Sequence, residues 1–311
     1  MKSSVCRSAS ALVRNTVVAC TGFFLVGSFI SVGSAEGPAG VKAPGAGTPV
    51  ERGFYLVNTI GACGNCHGRD ASGNLHADNS VAGGFVFDEI EPDLGHVIAP
   101  NITPDKDTGV GKWSEADLIT ALRNGKRPDG SIIGPPMPIP VYGQLSDQDA
   151  TAIAAYLLSA KPVKNSVEKS QYKVPLPPDY GPPVTHVDAI SPTDKVAYGG
   201  YLATVGHCVL CHTPPAVDKP FNMDLAFSGG RPFPSFSGIP ATVSRNITSD
   251  PDHGLGKWSD QDIKNAITKG VRPDGTKLTG PMPFDWYAKM TPTDVDAIVA
   301  FIRTIKPVKN Q

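Results

Sequence analysis

Five residues occur twice in a pattern that carries chemistry: Cys63-Gly64-Asn65-Cys66-His67 and Cys208-Val209-Leu210-Cys211-His212. Two thiols separated by two residues face the same way on one turn, and the residue that follows is carried beneath them. That spacing suits covalent attachment of a porphyrin. Cys63 with Cys66, and Cys208 with Cys211, would form thioether bonds to two vinyl groups, and the imidazoles of His67 and His212 would bind the iron axially. Close cysteines beside a histidine also suit a zinc site or a dithiol redox pair. The cysteine count weighs against both, because the other two of the six, Cys6 and Cys20, lie in the N-terminal segment described below. The expected cofactor is haem c, two covalently bound copies per chain.

The second axial ligand follows from an internal repeat, which decides the architecture before any local motif does. At an offset of 145 residues, the two pentapeptides superimpose, Asn101-Ile102-Thr103 returns as Asn246-Ile247-Thr248, and Gly111-Lys112-Trp113-Ser114 returns as Gly256-Lys257-Trp258-Ser259. Arg127-Pro128-Asp129-Gly130 returns as Arg272-Pro273-Asp274-Gly275, Pro136-Met137-Pro138 as Pro281-Met282-Pro283, and Lys161-Pro162-Val163-Lys164-Asn165 as Lys306-Pro307-Val308-Lys309-Asn310. His67 precedes Met137 by 70 residues and His212 precedes Met282 by the same 70. An isolated methionine usually fills a gap in a core, but both of these are flanked by prolines that stiffen the backbone. Met137 and Met282 are therefore the expected sixth ligands. Met290 matches Leu145 and reads as a packing residue; Met223 falls in a loop whose counterpart has no methionine.

Thioether ligation favours ferrous iron and raises the potential relative to a second imidazole. With six ligands there is no open position for oxygen or peroxide, so the pattern implies outer-sphere electron transfer. His207, beside Cys208, matches Ala62; it and His76, His96, His186 and His253 read as rim, surface or loop residues. Trp113 and Trp258 suit structural packing more than donation to haem propionates. Arg127 and Arg272 could pair with propionates, and Asn101 and Asn246 read as turn residues.

The elements that must position these groups are helical, and the expected fold class is all-α: two tandem cytochrome c-like domains joined by a Pro-rich linker. Capping boxes mark four helix starts, at Ser114 with Asp117, Ser146 with Asp149, Ser259 with Asp262 and Thr291 with Asp294. Leu118 with Leu122, and Ile263 with Ile267, give short amphipathic middle helices stopped by Gly125 and Gly270. Late helices carry the stripes Ala150, Ile153, Ala154, Leu157, Leu158 and Val295, Ile298, Val299, Ile302, closed by Pro162 and Pro307. Early helices over Arg52 to Thr59 and Ala197 to Thr204 lead into the cysteines, with one residue inserted or deleted between the copies. No strand pattern is convincing. The domains run over 48–165 and 196–311. The segment 166–195, with six prolines and no helical period, is a semi-rigid spacer that either separates the domains or drapes over one.

Residues 1–35 read as an export signal, with Lys2, Arg7 and Arg14 before an uncharged stretch from Thr16 to Val32 and the small residues Gly33-Ser34-Ala35. Cleavage after Ala35 is expected; an uncleaved anchor and lipid attachment at Cys20 are the competing readings. An exported, periplasmic chain also suits haem c assembly and disfavours a permanently reduced dithiol. The formal net charge of −1, which becomes −4 when the signal's three basic residues are removed, excludes a field strong enough to hold nucleic acid. No hydrophobic anchor is expected after Lys306-Pro307.

The run from Asn101 through Met137 to Asn165, and its copy from Asn246 to Asn310, resembles the cytochrome c subunits of membrane-associated periplasmic dehydrogenases, those serving quinoprotein alcohol and flavin-dependent gluconate or sugar dehydrogenases. The resemblance implies haem binding by Cys63, Cys66, His67, Met137 and by Cys208, Cys211, His212, Met282. It also implies a dehydrogenase subunit as electron donor, a quinone, cytochrome or terminal oxidase as acceptor, and peripheral membrane association. Those subunits commonly carry three haem domains, whereas this chain has two motifs. The rival function is a di-haem peroxidase, which needs one iron with an open sixth position; both methionines argue against it.

Overall fold

The computed structural model describes residues 47–217 and 219–310; the export signal and Cys20 lie outside the described residues. The first half runs through helices α1 (Pro49–Tyr55), α2 (Gly64–His67), α3 (Glu115–Asn124), α4 (Ile139–Tyr142) and α5 (Asp147–Ser159). The second repeats the order as α6 (Lys195–Val205), α7 (Cys208–Cys211), α8 (Asp260–Lys269), α9 (Phe284–Tyr287) and α10 (Pro292–Thr304). In each half the first helix packs on the last. Glycine makes that approach possible: a Cβ at Gly53 would lie 1.9 Å from the Ala152 carbonyl oxygen, and one at Gly199 would lie 1.8 Å from that of Ala297. Backbone rests on backbone at both crossings.

One contiguous core runs through both halves and includes Leu56, Ile60, Leu145 and Ile153 from the first, Leu202, Ile263, Ile298 and Val299 from the second. Burial of these apolar side chains is the main force holding the halves together.

The one-residue mismatch before the cysteines has a structural form. After Tyr55 the chain makes a π turn, Leu56–Ile60, in which the Gly61 N–H donates to the Leu56 carbonyl five residues back at 2.8 Å. In the second half α6 stays regular, and the Gly206 N–H donates to Leu202, four back, at 2.8 Å. A π bulge is how a helix absorbs one extra residue.

Full capping boxes form at Ser114 with Asp117 and at Ser259 with Asp262, and α3 and α8 end at left-handed Gly125 and Gly270 (φ 62° and 60°). The other two expected boxes are half-made. Ser146 and Thr291 accept from the Asp149 and Asp294 amides, but the two carboxylates reach across to the opposite half. Tyr201 donates to Asp149 at 2.6 Å and Tyr55 donates to Asp294 at 2.5 Å. Equivalent tyrosines on α6 and α1 thus cap equivalent acids on α5 and α10, exchanged about a pseudo-twofold axis. A box unforeseen in the sequence opens α1, with Thr48 and Glu51 bonding reciprocally.

Among the described residues four two-residue strands depart from an all-helical fold: β1 (Gly95–His96) pairs with β2 (Gln171–Tyr172), and β3 (Pro232–Phe233) pairs with β4 (Thr242–Val243), both antiparallel. They are too short to show alternation in the sequence. The β1–β2 pair fastens the segment 166–195 onto the first half, as do bonds from Tyr180 to the Ile133 carbonyl at 2.7 Å and from the Val184 amide to Asn124 at 2.8 Å. Asp147 completes the attachment: its amide donates to Val187, and its carboxylate takes His186 and buried Arg123 at 2.6 Å each. Arg123 holds that carboxyl down to about 2.

Candidate functional site

Each pentapeptide folds as a single turn. In the first, the His67 amide donates to the Cys63 carbonyl at 2.9 Å; in the second, His212 donates to Cys208 at the same distance. Among the described residues all four cysteines are free, and of these only Cys211 is exposed. Burial pushes Cys63 and Cys208 up to about 12 and Cys66 up to about 11. Such thiols are protonated at neutral pH, the opposite of the activated thiolate of a redox pair. Among the described residues no three His, Cys, Asp or Glu side chains converge as a metal cluster. The raised thiol values weigh against the dithiol reading.

The imidazoles are oriented identically. His67 donates from Nδ1 to the Pro100 carbonyl at 2.8 Å, and His212 donates from Nδ1 to the Arg245 carbonyl at 2.7 Å. A carbonyl only accepts, so the proton sits on Nδ1 and Nε2 keeps its lone pair for a metal. Burial lowers both pKa values, which keeps the rings neutral and able to ligate.

The carbonyls that hold the histidines are themselves held by the residues that follow them. Asn101 and Asn246, read from the sequence as turn residues, are buried clamps. Asn101 donates to the Val163 carbonyl at 2.8 Å and accepts from the Thr103 amide and hydroxyl; Asn246 does the same with Val308, at 2.7 Å, and Thr248. The repeated Asn-Ile-Thr and Lys-Pro-Val elements are therefore two ends of one brace behind each histidine.

Met137 and Met282 are half-buried and pack against the shared core, as does Cys63. Each lies just before a short helix, and the Met137 and Met282 carbonyls accept from Ile139 and Phe284 at 2.9 Å. Those helices return to the cysteine turns. At the end of α4 the Tyr142 hydroxyl lies 3.5 Å from the Gly61 carbonyl; at the end of α9 the Tyr287 hydroxyl donates to Gly206 at 2.5 Å. The two tyrosines, 145 residues apart, couple each methionine loop to its histidine turn. Tyr142 and Tyr287 stand in the same register as the other repeated residues.

His207 requires a correction. It stands in the turn between α6 and α7 and is half-buried rather than a free surface residue: its Nε2 and the Tyr142 hydroxyl share a 2.6 Å hydrogen bond across the halves, and burial lowers its pKa to about 4. Of the other four histidines, His76 bonds Gly83, His96 bonds Asp88 and His253 bonds Asp250 locally, while His186 bonds Asp188 and, across the fold, Asp147. Arg127 folds back onto the Ile132 carbonyl at 2.8 Å. Trp113 and Trp258 pack against the core, Met290 is inside it, and Met223 is exposed.

Paired protonated thiols, an adjacent neutral imidazole fixed from behind and a braced methionine loop make a donor set that fits haem c in both halves. Residues 50–161 match the family model for cytochrome c, and this stretch is a cytochrome c domain. The chain as a whole is a relative of cytochrome subunits of bacterial dehydrogenases. It is 31% identical over 287 residues to the cytochrome c subunit of the quinone alcohol dehydrogenase of Gluconacetobacter polyoxogenes, an alignment covering 83% of this chain and 56% of that one. Against the gluconate 2-dehydrogenase cytochrome c subunit of Pantoea cypripedii it is 31% identical over 271 residues, covering 83% and 59%. A diheme cytochrome c-type protein of Cereibacter sphaeroides is 28% identical over 263 residues, covering 80% and 83%. The chain thus spans somewhat more than half the length of the two dehydrogenase subunits. Among the described residues no helix is long and apolar enough to cross a membrane.

Proposed function

We propose that this chain is an exported di-haem c-type cytochrome that accepts electrons from a periplasmic dehydrogenase subunit and passes them to a quinone, another cytochrome or a terminal oxidase, without acting on the organic substrate. One haem is held by Cys63, Cys66, His67 and Met137, the other by Cys208, Cys211, His212 and Met282. The observation that carries this reading is the paired Nδ1 hydrogen bond of His67 and His212, which presents Nε2 at both turns. When bound, each haem supplies a one-electron iron couple. The protein's own groups keep the imidazole tautomer, brace the methionine loop through Tyr142 and Tyr287, and bury the site on one shared core. The names of the relatives support a dehydrogenase as donor.

Intact mass of the purified secreted polypeptide tests the cofactor count, and two porphyrins are expected. Reduced and oxidised spectra test the ligation: two low-spin centres with the weak sulfur-to-iron band of the ferric state are expected. A high-spin fraction that consumes peroxide would instead favour a catalyst.

A further inference from the structure

Each cysteine turn carries an arginine on the same backbone atom, yet the two arginines come from unrelated positions. Arg69 donates from Nε to the Asn65 carbonyl at 2.9 Å and from Nη1 to the Gly73 carbonyl at 2.7 Å. Arg231 donates from Nη1 to the Leu210 carbonyl at 3.3 Å. Asn65 and Leu210 are the same repeat position, immediately before the second cysteine. The residue 145 places after Arg69, however, is Pro214, and that 145 before Arg231 is Val86. Aromatic rings face both guanidinium groups, Trp286 at 5.6 Å from Arg69, Phe221 and Phe233 at 5.2 and 5.4 Å from Arg231.

The charge balance differs between the two turns. Arg231 pairs with Glu91 at 2.8 Å, reaching across to the first half. Among the described residues no carboxylate forms an ion pair with Arg69, whose donors are spent on the Asn65 and Gly73 carbonyls and the Asn65 side chain. His207 adds no charge near the second turn at neutral pH, since burial holds it near 4.

Oxidation adds a positive charge to a haem, so an uncancelled cation beside it opposes oxidation and raises its reduction potential. The axial ligands proposed for the two halves are the same, which leaves the surroundings to separate them. We infer that Arg69 holds the first haem at a higher reduction potential than the second, where Glu91 cancels Arg231, so that an electron shared between the halves comes to rest on the first. The inference rests on the two-haem reading. The exchange moves one electron from ferrous iron in the second half to ferric iron in the first, with no bond made or broken and no proton moved.

The test is a spectroelectrochemical titration of the full-length haem-loaded protein, preceded by a haemochrome assay of porphyrin content. Two separate potentials are expected. Arg69→Gln should lower the higher one and Glu91→Gln should raise the lower one, so each substitution narrows the gap. Arg69→Lys retains the charge without the forked bond to Asn65 and should leave the gap open, which a purely structural role for Arg69 would not do. Arg69→Gln shifting the lower potential, or Arg69→Gln and Glu91→Gln both leaving the gap unchanged in a protein with two porphyrins, would overturn the assignment alone. Fewer than two porphyrins in the unmodified chain would overturn the two-haem reading and the assignment with it.

Discussion

Asp149 in the first half and Asp294 in the second stand at the same point of the last helix, and each takes a hydrogen bond from a tyrosine of the opposite half. Their other partners differ. Arg52 grips Asp149 with two bonds, from Nε at 2.8 Å and Nη2 at 2.9 Å, whereas the residue matching Arg52 is Tyr198, and Asp294 takes its hydrogen bond from the phenol of Tyr55. Burial accordingly raises the Asp294 pKa, with Arg52 pulling the other way from a distance. The residues proposed to hold cofactor agree between the halves, while Arg52, Arg69, Glu91 and Arg231 have no counterpart. A duplicated site is constrained by the geometry of its donors; the electrostatics around it are free to diverge.

Four experiments would break or sharpen that comparison. The largest effect is expected from removing a cysteine pair. Cys63→Ala with Cys66→Ala should cost one porphyrin by intact mass, and the equivalent change at Cys208 and Cys211 should cost the other; two porphyrins retained in either double variant would refute the attachment sites. Next, Met137→Ala and Met282→Ala should each open one sixth position and lower one potential, since axial ligation moves haem potentials over about 0.8 V. Each should also halve the sulfur-to-iron band, and a variant with both potentials unchanged would remove that methionine from the ligand set.

The acids should then separate the halves energetically. Asp149→Ala leaves the Arg52 guanidinium, 14% exposed, without its carboxylate, a loss of about 3–5 kcal/mol for a broken buried pair. Asp294→Ala removes a tyrosine's acceptor and should cost about 1–3 kcal/mol. Denaturant midpoints with unchanged slopes would measure both; equal costs would show that Arg52 does not distinguish the halves.

The last experiment concerns pH. The His207 pKa falls from 6.5 in the unfolded chain to about 4 when buried, so the unfolded chain binds more protons between those values. The stability His207 contributes is therefore complete above 6.5 and is lost as pH falls toward 4. His207→Ala, which installs the residue found at position 62, should flatten the dependence of the unfolding midpoint across that window. An unaltered slope would mean that some other group carries it.

Much of this was legible in the sequence because it depends on spacing. The cysteine turns, the middle and late helices, the capping serines and the glycine stops all follow from short-range patterns, and each was placed to within a few residues. The tertiary use of a residue left no such mark. Asp149 and Asp294 satisfy the capping rule on paper, but a carboxylate offered a partner across an interface abandons its own helix end. Asn101 and Asn246 look like turn formers until the carbonyls of Val163 and Val308 come into reach. His207 could not be told from a surface residue without knowing that the second half would press it against Tyr142. Arg69 and Arg231 left no mark for another reason: they serve the same repeat position from unrelated places in the chain, so no fixed offset relates them.

The π turn after Tyr55 has a wider meaning for a duplicated chain. A gained or lost residue would ordinarily rotate everything upstream by about 100° around the helix, swinging Gly53 away from Ala152 and breaking the backbone crossing. Widening a single turn stores the surplus locally instead, so the two copies have drifted in length while the crossing on one side and the cysteine turn on the other kept their places.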